Sequence, residues 1–214
     1  MTDQEKKDVR SVLKSLALFL LPFLLVLVYP FMVMFLSGEL MPVNSIIQKQ
    51  QTAPSEVFVS LAYSDPTRFY KLKIAQKRGA KILALGTSRV MQVRSLFFSD
   101  PDSFYNAGGG ISDLKDFRNF LNKIPVDKTP SLLIIGLDQR FFNPDWASLN
   151  GVGDNWPAPP GPASVFLNNW AKVYADTWQG KISFSTILSG RTANNAIGLS
   201  AQMRDMGFRK DGRE

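Results

Sequence analysis

Three short segments of this sequence combine glycine with side chains that could take part in nucleophilic chemistry. They are Gly86-Thr87-Ser88-Arg89, the run from Asn106 to Gly110, and the run from Gly136 to Arg140 that contains Asp138. A serine hydroxyl is a useful nucleophile when an adjacent base activates it. Glycines let the backbone approach a ligand closely and can aim N–H groups at a developing oxyanion. Together the three segments suggest serine-based acyl transfer.

Each segment also has a plainer interpretation when it is taken alone. Ser88 could simply cap the following helix, and Asp138 could cap a surface loop. The glycines from Gly108 to Gly110 could form a flexible strand-to-helix turn or a phosphate-binding loop. Their spacing matches neither a dinucleotide fingerprint nor a Walker loop, so the phosphate alternative is the weaker one.

The three segments each follow a predicted strand. These strands cover Lys81 to Leu85, Ser103 to Asn106 and Ser131 to Ile135. The third is a continuous apolar run, which is typical of a strand buried on both faces of a parallel sheet. Because ligands in open α/β sheets bind beyond the carboxyl ends of the strands, the three segments should share one edge of the sheet.

Helices are predicted between and after these strands, which gives an α/β fold. They run from Asp65 to Arg78 with Gly79 as a left-handed C-cap, from Ser112 or Asp113 to Lys123, and from Ser164 to Trp178. Residues 143–163 read as a long loop rich in Pro, Gly and Asn. No convincing strand follows the last helix. Since three strands make a small sheet, the parallel sheet flanked by helices is expected to be incomplete.

A membrane anchor is predicted at the N-terminus. Leu16 to Leu36 contains no charged residue and would span about 30 Å as a helix, the thickness of a bilayer core. Lys6, Lys7, Arg10 and Lys14 precede it, so the positive-inside rule places the N-terminus in the cytoplasm and the bulk of the chain outside. The apolar run is longer than that of a cleaved signal peptide, which favours a retained anchor.

The predicted organisation therefore has four parts. Residues 1–14 form a cytoplasmic tail, 15–37 a transmembrane helix, 38–64 a stalk or loop, and 65–214 the α/β domain. The expected location is the cytoplasmic membrane, crossed once, with most of the chain extracytoplasmic.

Composition limits the chemistry. The sequence has no Cys, which excludes thiolate catalysis and Cys-based metal sites. It also has no His, so none of its own residues can act as a histidine base. The formal net charge is +7. The basic residues form two clusters, which we interpret as solvated helix faces that would also suit an anionic membrane or an acidic polymer. The clusters are Lys71, Lys73, Lys77, Arg78 and Lys81, and Arg204, Arg209, Lys210 and Arg213. We find no nucleic-acid motif and no cofactor motif.

In the order of these segments the chain resembles the SGNH hydrolase-like superfamily, in particular its membrane-anchored members that modify bacterial cell-surface polysaccharides. Gly86-Thr87-Ser88 resembles the first block of that family and Asn106 to Gly110 the second. Gly136-Leu137-Asp138 occupies the third block. The resemblance implies that Ser88 is the nucleophile, that the N–H of Gly109 or Gly110 contributes to an oxyanion hole, and that Asp138 belongs to the site.

The sequence departs from the family pattern at several positions. Thr87 replaces the usual Asp, and Asp138 stands where an Asn donor is expected, although an ionised Asp can only accept hydrogen bonds. The C-terminal Asp-x-x-His that carries the base is absent. The domain is therefore expected to be an acyltransferase- or esterase-like domain that is inactive as this chain.

Two explanations for the missing base remain open. The chain could be a fragment of a longer enzyme, or a non-catalytic membrane-anchored scaffold or glycan-binding protein. The sequence favours the fragment, because the missing strands and base both fall after residue 180 and because Gly207 to Arg213 has no apolar period and is expected to close no element. Asp211-Gly212 would then be a turn leading into further chain. Expected partners are the lipid bilayer, a surface polysaccharide and a membrane acyl-donor protein.

Overall fold

The computed structural model describes residues 3–143, 145, 158–188, 195–204 and 206–213. The helices are α1 (Asp3–Ser37), α2 (Val43–Thr52), α3 (Thr67–Arg78), α4 (Leu114–Asn122), α5 (Pro162–Trp178), α6 (Phe184–Leu188) and α7 (Leu199–Arg204). The strands are β1 (Phe58–Val59), β2 (Ile82–Gly86), β3 (Phe104–Gly108), β4 (Leu132–Ile135) and β5 (Ala196–Ile197).

The central sheet is three-stranded and parallel, in the order β3-β2-β4. Ala84 of β2 is in register with Asn106 of β3 and with Ile134 of β4. The predicted α/β architecture and its three parallel strands are confirmed, with β3 extending two residues beyond the expected end. Gly79 has a φ of +59° and ends α3, as the sequence predicts.

Strand β4 differs from its prediction. Leu132 and Ile135 are 50% and 49% exposed, although their apolar run predicts burial on both faces. The prediction was wrong because β4 lies at the edge of the sheet and pairs only with β2 among the described strands. An apolar composition alone does not distinguish a central strand from an edge strand.

The segment predicted as a stalk is folded against the domain. It contains α2 and β1, and Ile46, Ile47 and Gln50 of α2 are buried. The amide of Gln50 donates to the carbonyl oxygens of Val57 at 2.9 Å and Phe208 at 2.8 Å. A loop interpretation was wrong here because the few apolar positions of α2 are separated by polar residues that hide their helical spacing.

Strand β1 pairs in parallel with β5, and Val59 forms an antiparallel bridge with Phe208. These C-terminal residues are therefore part of the folded domain. Farther along, the Asp211 carbonyl accepts a hydrogen bond from the Asn106 N–H at 2.8 Å. This segment covers the outer edge of β3, so the expectation that Gly207 to Arg213 closes no element was wrong.

Helix α1 is long but strongly bent. No single straight helix among the described residues has the length and apolarity to cross a membrane. Its two parts, Val9–Pro22 and Leu24–Ser37, meet those criteria only together and are inclined by 53°. Pro22 and Pro30 lie inside the helix, and proline removes a backbone donor and kinks a helix. The transmembrane helix remains a prediction.

The two parts of α1 have different surroundings. In the second part, Val33 and Met34 are fully buried against α5 and its neighbours. In the first part, Leu18 and Phe19 are 71% and 66% exposed. The second part thus belongs to a hydrophobic cluster of the folded domain, whereas the first part exposes its apolar side chains.

Glu39 fastens the end of α1 to the domain. Its carboxylate is buried and accepts hydrogen bonds from the N–H groups of Ala62 at 2.8 Å, Tyr63 at 3.2 Å and Leu199 at 2.7 Å. Burial raises the pKa of Glu39, although these N–H donors act in the opposite direction. One side chain thereby joins α1 to the segment after β1 and to α7.

We expect Glu39→Ala to lower the free energy of unfolding by about 3 kcal/mol, because buried N–H groups would lose their acceptor. Glu56→Ala is the matched control, since Glu56 is 42% exposed and pairs with Arg209 and Arg213 at the surface. That control should cost about 1 kcal/mol or less. Urea unfolding of the full chain in detergent, followed by tryptophan fluorescence, measures both. Equal effects of the two substitutions would contradict the role given to Glu39.

Candidate functional site

The carboxyl ends of the three parallel strands place the three predicted segments side by side. Gly86 ends β2 and is in register with Gly108, which ends β3. Gly136 follows β4, and its N–H donates to the Leu85 carbonyl at 2.9 Å. The predicted common edge is therefore present, with the central segment carrying Ser88.

Ser88 begins a short 3-10 helix, Ser88–Gln92, immediately after β2. Its side chain is exposed, and its hydroxyl has no hydrogen-bond partner among the described residues. The hydroxyl is thus accessible to a ligand from outside. It also lacks, within the described part of the chain, the base that would make it a strong nucleophile.

Asp138 lies beside this turn and is held by both neighbours of Ser88. Its carboxylate accepts a hydrogen bond from the buried Thr87 hydroxyl and forms an ion pair with Arg89 Nε at 3.2 Å. The side chain of Asp138 is 13% exposed and that of Arg89 81%. Asp138 and the β2 turn are therefore brought together, as predicted. The carboxylate joins β4 to β2 and makes no hydrogen bond with Ser88.

The N–H groups of the glycine turn after β3 are hydrogen-bonded within the domain. The Gly109 N–H donates to the Gly86 carbonyl at 3.0 Å, and the Gly110 N–H donates to the Ala107 carbonyl at 3.1 Å. Gly109 has a φ of +79°, which folds the turn back onto the strand ends. Both N–H groups therefore already donate to backbone carbonyls of the domain. Neither N–H is free to donate to an oxyanion in this structure, and the oxyanion role of Gly109 or Gly110 stays a prediction.

The glycines at the strand ends serve close packing instead. A Cβ on Gly136 would lie 2.1 Å from Val90 Cγ2, and a Cβ on Gly86 would lie 2.5 Å from the same atom. A Cβ on Gly108 would lie 2.8 Å from the Met91 backbone nitrogen. These positions admit the 3-10 helix that carries Ser88, and any larger residue would push it away.

Asn106 connects the parts of this edge, and its role was missed by sequence reasoning. Its side chain is fully buried and donates to the carbonyls of Val90 and Val93, each at 2.8 Å. Its Oδ1 accepts the Gly108 N–H at 2.8 Å. The signal in the sequence is a single polar residue inside the apolar strand Phe-Tyr-Asn-Ala-Gly. Asn106 is a positioning residue for the turn that presents Ser88.

Lys71 also contributes to this edge, contrary to its interpretation as part of a solvated cluster. Lys71 is fully buried. Its ammonium donates to the Asn106 carbonyl at 3.1 Å and to the Gly212 carbonyl, and lies 4.2 Å from the centroid of the Phe208 ring. The buried cation therefore ties β3 to the C-terminal segment.

A separate groove of about 480 Å³ lies between α2 and α3. Lys73 and Lys77 of the predicted basic cluster line it, together with the uncharged polar side chains of Asn44, Gln48, Thr52 and Gln76. Lys77 is exposed. The groove thus combines positive charge with hydrogen-bonding groups, and the strand-end segments do not line it.

Comparisons with protein-family models, with curated proteins and with solved structures gave no match to this chain. The resemblance to SGNH hydrolases therefore depends on the residues of the strand-end segments alone.

We expect Gly136→Ala to lower the free energy of unfolding by about 1–3 kcal/mol, because its methyl group would overlap Val90. In a chain that also carries Val90→Ala, the same substitution should cost at least about 1 kcal/mol less. Gly161→Ala is the control, since a Cβ there meets no atom within 4 Å. Urea unfolding of the wild type, the two single variants, the double variant and the control gives the coupling free energy between positions 136 and 90. Strict additivity of Gly136→Ala and Val90→Ala would contradict the close-packing role.

Proposed function

We propose that this chain is a membrane-anchored, extracytoplasmic domain that presents Ser88 for acyl transfer on a cell-surface polysaccharide. The observation that carries the proposal is the exposed, unpartnered Ser88 hydroxyl at the carboxyl end of the central strand. The anchor would be α1, whose basic N-terminal residues favour a cytoplasmic start. The SGNH-like order of the strand-end segments supports the same chemistry.

In the proposed reaction, Ser88 Oγ attacks the carbonyl carbon of an ester and forms an acyl-serine. Its proton passes to a base, and the alcohol of the donor leaves with a proton. A hydroxyl of the polysaccharide then attacks the acyl-serine, which returns the hydroxyl of Ser88. The Asp138 carboxylate is engaged by Thr87 and Arg89 and makes no hydrogen bond with Ser88, so we assign the base to an imidazole or carboxylate from outside the described site. The purified chain alone should turn over little substrate.

The surroundings of Ser88 would serve this reaction by positioning it. The Thr87–Asp138–Arg89 contacts fix the turn on both sides of the serine. Arg89 keeps most of its guanidinium exposed while it pairs with Asp138, so it can also face negative charge that develops on an acyl oxygen. With Gly109 and Gly110 engaged, Arg89 takes the stabilising role that the resemblance gives to glycine.

A second candidate function is non-catalytic binding of an acidic glycan. The groove between α2 and α3 favours it, because Lys73 and Lys77 would face the acidic groups while the amides hydrogen-bond to sugar hydroxyls. In that case Ser88 is a structural residue of the 3-10 turn. The two functions make opposite predictions for Ser88.

We expect a fluorophosphonate probe to label the protein in native membranes, where the partner that supplies the base is present. Labelling should be lost in Ser88→Ala and retained in Ser99→Ala, which removes another exposed serine hydroxyl. The measurement is in-gel fluorescence of the affinity-captured full chain. Wild-type protein that is folded but unlabelled in these membranes would contradict acyl transfer and favour glycan binding.

A further inference from the structure

One side of helix α5 carries large apolar side chains that the described residues cover only in part. Leu167, Tyr174 and Trp178 are 66%, 38% and 94% exposed. At about 100° per residue, their spacings of seven and four place them on one side of the helix. We call these three residues the α5 stripe. Large apolar side chains aligned in this way are typical of a surface that contacts an apolar partner.

The charged residues of α5 point away from the stripe and are held by the domain. Asp176 accepts a hydrogen bond from the Tyr63 hydroxyl at 3.0 Å and pairs with Lys181 at 3.3 Å. The Lys172 ammonium lies 5.3 Å from the centroid of the Tyr63 ring. Lys172 and Asp176 are each about 160° around the helix from Tyr174. The stripe is therefore free of charge along its length.

Helix α5 runs antiparallel to the second part of α1. The Phe31 and Phe166 rings are 5.8 Å apart, and the Tyr29 and Tyr174 rings are 5.3 Å apart. As α5 proceeds from Phe166 to Tyr174, its partners on α1 move back towards the N-terminus. The end of α5 that carries Trp178 therefore points along α1 towards its exposed apolar part.

A hydrogen bond fixes this arrangement at a defect in α1. The Tyr174 hydroxyl donates to the Val26 carbonyl at 2.6 Å. In an α-helix that carbonyl would accept from the N–H four residues later, but that residue is Pro30, which has none. An unpaired carbonyl is costly wherever water is absent. Tyr174 thus supplies the donor that the proline removes.

Helix α1 also exposes apolar side chains next to the residue that Tyr174 contacts. Leu24 and Leu25, which directly precede Val26, are 58% and 60% exposed. Leu188 of α6 is 60% exposed. Tryptophan and tyrosine are enriched where a membrane meets water, because one part of each ring system is apolar and another forms hydrogen bonds.

We propose that α5 is an interfacial helix, whose stripe contacts the extracytoplasmic leaflet of the membrane beside α1. This inference depends on the membrane anchor of the proposed function. The folded domain would then rest on the bilayer through two elements, with its orientation fixed. The lipid surface is favoured over a second copy of the chain because Tyr174 of the stripe is bonded to Val26 of α1, directly after the exposed Leu24 and Leu25 of the proposed anchor.

The absence of cysteine allows a direct test in the full chain, reconstituted in liposomes. Single cysteines are introduced by Trp178→Cys, by Leu18→Cys in α1, and by Val126→Cys, whose position is 93% exposed before β4. Each is labelled with an environment-sensitive fluorophore, and lipids carrying a nitroxide quencher are added. We expect loss of fluorescence at positions 178 and 18, and none at 126. Leu167→Cys repeats the test with Trp178 retained.

The outcomes distinguish a failure of the interfacial-helix proposal from a failure of the membrane anchor. Quenching at 18 but at neither 178 nor 167 would overturn the interfacial helix and leave the anchor in place. Absence of quenching at all positions would overturn both. A label at 178 and 167 that is shielded from water but unquenched by the lipids would show that a second copy covers the stripe, which also overturns the inference.

Discussion

The amide of Asn106 holds together the edge on which any activity of this protein depends. It is buried between the strand ends and donates to the carbonyls of Val90 and Val93 after β2. Its oxygen accepts the N–H of Gly108 at the end of β3. The backbone of the same residue joins Lys71 and the C-terminal segment. A buried polar network is stable when every member is satisfied. The position of Ser88 is therefore set by packing and hydrogen bonds far from its own hydroxyl.

The sequence predicts the parts of the fold that are determined locally. Apolar runs locate β2, β3 and β4, and Gly79 marks the end of α3. Elements that depend on distant partners could not be predicted in this way. The two-residue strand β1 exists because residues near position 196 pair with it, and α2 is helical because its apolar side chains reach the core.

In the candidate site, too, some features follow from the local sequence and others depend on distant residues. Strand order places Ser88 and Asp138 at one edge, and this follows from the sequence. The engagement of the Gly109 and Gly110 amides does not, because a glycine that binds an oxyanion and a glycine that permits close packing look identical in sequence. Lys71 likewise appears as one member of a basic cluster until its burial is known. Conversely, the unpaired carbonyl of Val26 follows from Pro30, but its donor Tyr174 is known only from the structure.

Both proposals require the folded domain to lie on the extracytoplasmic side of a membrane that α1 crosses. Acyl transfer to a surface polysaccharide needs this location, and so does contact of α5 with the outer leaflet. The direct measurement uses two fusions after Glu214, one to alkaline phosphatase, which is active only outside the cytoplasm, and one to a reporter that is active only inside it. We expect an active phosphatase and an inactive cytoplasmic reporter. The opposite pattern would contradict the proposed location.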